Sequence, residues 1–134
     1  MGLVWLTAVR PVLADSNTPL AQKMKLMAGA VKNLQHPGTP PAAENPLDDF
    51  KVLMDAALDC LDHSDDLAPA EVAKDPQRLR AFKAEFQLLL RKIAILEKAL
   101  HLPADSASRE AQIRAALAEV LVLKLDGHSK FKPN

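Results

Sequence analysis

Proline decides how this chain is partitioned. Its ring fixes φ and removes a backbone donor, so it is tolerated in the first turn of a helix and hardly anywhere inside one. The ten prolines fall at 11, 19, 37, 40, 41, 46, 69, 76, 103 and 133, and leave proline-free windows at 20–36, 47–68, 77–102 and 104–132. At about 1.5 Å per residue each window holds a helix of about four turns or more. Apolar residues within them recur alternately three and four apart, the spacing that places them along one packed face. The seams read Leu20, Met24, Met27, Val31, Leu34; then Leu47, Phe50, Met54, Ala57, Leu61; then Leu79, Phe82, Phe86, Leu89, Ile93, Leu96, Leu100. The fourth runs Ile113, Leu117, Val120 and then Lys124, with Leu121, Leu125 and His128 on neighbouring rows. The spacing predicts helices over 20–34, 47–63, 77–101 and 106–130, with the seams buried. The proline-rich break at 36–46 reads as an extended, stiff connector.

Composition agrees with an all-α fold. There are 22 Leu and 22 Ala against 14 Val, Ile and Thr together and no Tyr, which favours residues that lose little freedom in a helix and argues against a sandwich or barrel. Seventeen basic and 17 acidic groups give a net charge of zero, without the one-sided field of a nucleic-acid binder or a polybasic membrane anchor. No apolar run approaches the roughly 20 residues of a membrane span. A single cysteine, Cys60, excludes an intrachain disulfide and any multi-cysteine metal site, and reads as a small buried apolar side chain. Residues 2–9 are apolar, broken by Arg10 and Pro11, and Val12-Leu13-Ala14 follows, so that residues 1–14 read as a clipped signal peptide, or otherwise as an arm carrying Trp5; residues 15–134 form the domain. Hydrolase and nucleotide-binding motifs are absent from the sequence.

Short links between consecutive helices imply antiparallel neighbours, hence an up-down-up-down four-helix bundle. In that arrangement Met24, Phe82, Phe86 and His128 share one pole. A Met sulfur and a His nitrogen facing each other across an apolar core are the two axial ligands of a low-spin haem iron. By spacing alone, a seam methionine is core filler and a histidine in the last turn satisfies helix-end carbonyls. His36, His63 and His101 fall at helix ends or in the Pro-Gly turn, and Asp62, His63, Asp65 and Asp66 read as a solvated acidic patch.

Four segments in order, Leu20-Ala-Gln-Lys-Met24, Met54-Asp-Ala-Ala-Leu58, Phe82-Lys-Ala-Glu-Phe86 and His128-Ser-Lys-Phe-Lys132, make the chain resemble the cytochrome b-562 family. The resemblance implies a monomeric four-helix bundle that binds one haem b non-covalently and carries electrons between redox proteins of the periplasm, with no substrate transformed. It implies Met24 and His128 as axial ligands and Phe82 and Phe86 as the aromatic pair beside the haem. Met27, one turn on, is the competing sulfur, and Lys124 the seam residue one turn before the histidine. A covalent c-type site needs C-x-x-C-H, and Lys124-Leu-Asp-Gly127-His128 has no thiol. Gly127 departs from the bulkier residue usual beside the family's ligand. The alternative expectation is a haem-free periplasmic helical bundle acting as an interaction or stress-adaptor protein.

Overall fold

A computed structural model describes residues 18–131, and at 125–130 the backbone alone. Residues 1–14, read above as a signal peptide or arm, lie outside the described residues. The chain forms four long helices, α1 (Pro19–Gln35), α2 (Pro46–Asp62), α5 (Pro76–Leu100) and α6 (Arg109–Phe131), with two single-turn helices, α3 (Ser64–Leu67) and α4 (Ala70–Ala73), between α2 and α5. Among the described residues there is no strand, and no helix is long and apolar enough to cross a membrane.

Three of the long helices begin the same way. Thr18, Asn45 and Asp75 each stand before a proline, and each side-chain oxygen accepts a backbone N–H of the first turn: Ala21 N at 3.1 Å, Leu47 N at 3.0 Å and Gln77 N at 3.0 Å. The cap satisfies a donor that the helix cannot, and the proline at the next position lacks the donor that would otherwise be orphaned. Three of the helices also end alike, with His36, His63 and His101 as the C-cap residues of α1, α2 and α5. The ring Nδ1 of His101 additionally lies 3.2 Å from the Glu97 carbonyl oxygen.

The long helices pack in chain order, α1 on α2, α2 on α5 and α5 on α6, while α6 meets α1 more sparingly. Side-chain links fix the directions. Asn33 Nδ2 donates to Asp49 Oδ1 at 3.0 Å where α1 ends and α2 begins, and Lys23 reaches Asp59 at the other end, so the two helices are antiparallel. Arg109 Nε, at the start of α6, donates to the Leu102 carbonyl just beyond α5, and Lys92 pairs with Glu119 midway along, so α5 and α6 are antiparallel too.

One core runs between these helices. On α5 the buried residues are Phe82, Phe86, Leu89, Ile93, Leu96, Ala99 and Leu100, which is the expected seam with Ala99 added and Leu79 only half-buried. Each fully buried aliphatic or aromatic side chain contributes on the order of 1.5–3 kcal/mol. On α2 the seam is displaced from the expected one: Phe50, Leu53, Ala56, Ala57 and Cys60 are buried, Met54 and Leu61 are half-buried, and Leu47 is exposed. Ala56, Ala57 and Cys60 of α2 lie in the core while the first-turn Leu47 lies outside it.

Two further expectations are corrected. The break after α1 is folded rather than extended: Thr39 N donates to the His36 carbonyl at 3.2 Å across Pro37-Gly38, and Gly38 has φ of +80°. Proline followed by glycine at positive φ is the geometry of a type II turn. The start of α6 lies at Arg109 rather than 106, because Ser106 accepts from Arg109 N in a preceding turn and the Arg109 guanidinium is held by the Leu100 and Leu102 carbonyls.

Candidate functional site

The start of α1, the end of α2, the start of α5 and the end of α6 meet at one pole. Lys23 Nζ lies 2.7 Å from Asp59 Oδ2, and Lys83 of α5 lies 3.6 Å from Asp65 of α3. The hydrogen bond from Lys23 holds the Asp59 carboxyl below its ordinary value, and the same bond raises Lys23. Both groups are partly exposed, so the pair orients the helix ends more than it stabilises them.

At the same pole the helix ends pack through buried aromatic rings. Phe82 and Phe86, one turn apart on α5, have ring centroids 5.0 Å apart at 56°. Phe131, in the last described turn of α6, stands edge-on to Phe82 at 5.4 Å and 78°. These are favourable aromatic geometries, since ring edges are positive and faces negative. Phe131 was not among the expected site residues, although continuing the α6 seam past Lys124 in steps of three and four leads to it. Cys60 is fully buried nearby on α2, and burial pushes its thiol up to about 12, which keeps it protonated and inert.

The other expected site residues divide clearly. Met24 is half-buried and packs against the core from the second turn of α1. Met27 is only 2% exposed and enclosed by the core. Lys124 is half-buried on α6. The backbone at 128 is helical, but the His128 side chain lies outside the described residues. Among the described residues no three His, Cys, Asp or Glu side chains gather as a metal site, so Asp62, His63, Asp65 and Asp66 do not converge.

A half-exposed thioether at the edge of a core remains available to an external group, whereas an enclosed one is core filler. Met24 is of the first kind and Met27 of the second. A cleft of about 530 Å³ lies at the opposite pole, between the end of α1 and the first three turns of α6, away from these residues. No protein-family model matches the chain, and no curated protein or solved structure matches it either.

Proposed function

We propose that the four long helices constitute an antiparallel up-down-up-down four-helix bundle that holds one non-covalent haem b and serves as a periplasmic electron carrier rather than an enzyme. The observation that carries the reading is the Phe82–Phe131 contact, because it fastens the end of α6 to the pole where Met24 stands. Position 128 is one turn before Phe131 on the same helix. With Met24 near the start of α1 and position 128 near the end of α6, the two proposed ligands come from the first and last long helices at one pole.

Bound there, haem b would supply a one-electron Fe(III)/Fe(II) couple. Met24 and His128 would hold it, and a thioether ligand in a dry site favours the reduced state. Phe82 and Phe86, in the core at the same pole, would keep water from its site, and Lys124 would be a further residue of that site. Export is supported by the signal-like residues 1–14. Titrating the purified apoprotein with haemin tests the reading: a break at one haem per chain with a sharp low-spin spectrum on reduction is expected, and unsaturable, featureless uptake would reject it.

A further inference from the structure

The cleft at the opposite pole has the make-up of a ligand site. Its floor is formed by buried Leu34, Leu100 and Leu117, with half-buried Ile113 and Leu121 as walls. Its volume of about 530 Å³ lies within the range of small-molecule sites. It exists because α1 and α6 are the most loosely packed neighbours among the long helices, and because α1 stops at Gln35 where the chain turns away through Pro37-Gly38.

Charge at the mouth selects the ligand. Arg109, Arg114 and Glu110 line the cleft, so its ionised lining is net cationic. The Arg109 guanidinium is committed to the Leu100 and Leu102 carbonyls at 3.3 and 3.1 Å. Arg114 is exposed and makes no ion pair or hydrogen bond among the described residues. An arginine fork beside a leucine-lined floor fits a carboxylate whose apolar body fills the cleft.

We propose that this cleft binds an amphipathic monocarboxylate, its apolar chain against Leu34, Leu100 and Leu117 and its carboxylate on Arg114. The site is separate from the proposed haem pole and does not rest on that reading.

Calorimetric titration of the full chain with decanoate and decyltrimethylammonium below their micelle concentrations, and with decan-1-ol below its solubility limit, tests it. Decanoate should bind saturably at one per chain, the alcohol about tenfold more weakly for want of the charge-assisted contact, and the cation not measurably. Arg114→Glu should weaken decanoate by at least about tenfold and leave the alcohol unchanged. Ala118→Trp, at an exposed lining position, should block both while circular dichroism stays unchanged. Met24→Ala should leave decanoate binding intact. Absence of saturable decanoate binding, equal affinity for the three probes, or indifference to Arg114→Glu would overturn the proposal. So would concentration-dependent self-association abolished by Ala118→Trp, which would make a second copy the occupant.

Discussion

The ring of Phe131 stands edge-on to that of Phe82, with centroids 5.4 Å apart, and so ties the end of α6 to the start of α5. Phe82 is 2% exposed, and truncating it to alanine should cost on the order of 3–5 kcal/mol in urea unfolding. A double-mutant cycle with Phe131→Ala should return a coupling of about 0.5–1.5 kcal/mol, the increment measured for favourable aromatic pairs. Strict additivity would mean that the two rings do not interact in solution.

The two methionines of α1 should separate in stability before any cofactor is added. Met27→Ala empties an enclosed site and should cost about 2–5 kcal/mol, whereas Met24→Ala, at the half-buried edge, should cost clearly less. Comparing urea midpoints at unchanged m-value checks this, and the reverse order would mean that the register of α1 is wrong.

Asp49 holds the turn-rich connector in place. Its carboxylate accepts from Asn33 Nδ2 at 3.0 Å and from Ala43 N at 2.9 Å, and hydrogen bonds to a charged group contribute about 1.5–3 kcal/mol each. Asp49→Ala should therefore be markedly destabilising and should speed hydrogen exchange at the Ala43 amide. Unaltered exchange at Ala43 would show that the link is not formed in solution.

Alkaline pH should weaken the fold through Cys60. Burial raises the native thiol to about 12 from an ordinary 9.0, so above pH 9 the unfolded chain releases a proton that the native state keeps. That stability is complete below pH 9 and is lost as pH rises toward 12, at up to about 1.4 kcal/mol per pH unit. Lys23, raised chiefly by its hydrogen bond to Asp59 and least by Cys60, loses its contribution as pH rises through its native value in both wild type and Cys60→Ala. The wild type should thus fall more steeply than Cys60→Ala between pH 9 and 11, and parallel curves would contradict a buried thiol. On the acid side, Asp59 contributes above its ordinary 3.8 and the contribution is lost as pH falls through its lowered native value.

How much of this was legible in the sequence differs from element to element. Pro19, Pro46 and Pro76 announced their helices because each opens a long proline-free window and follows a residue able to cap, and the observed starts coincide with those prolines. The α5 seam was readable because one face carries large apolar residues at regular spacing. On α2 the pattern misled: the buried rows run through Leu53, Ala56, Ala57 and Cys60, and residues as small as Ala and Cys do not announce a buried face beside Leu47 and Met54. The connector misled in a different way, since its fold depends on Asp49 reaching back from the next helix, a contact that spacing does not encode. At the candidate site, Met24, Phe82 and Phe86 followed from helix order, but the Lys23–Asp59 and Lys83–Asp65 pairs depend on side-chain reach across helices.

The most direct test of the central claim is the visible absorption spectrum of the dithionite-reduced, haem-reconstituted protein, recorded for wild type, Met24→Ala, Met27→Ala and His128→Ala. A haem held between Met24 and His128 requires a sharp six-coordinate low-spin spectrum in wild type and in Met27→Ala. Met24→Ala should convert to a five-coordinate spectrum with unchanged helical circular dichroism, and His128→Ala should lose the low-spin form as well. A low-spin spectrum that survives both Met24→Ala and His128→Ala, or one abolished only by Met27→Ala, would contradict the assignment, and a wild type that gives no low-spin spectrum would leave the haem-free helical bundle as the account of this chain.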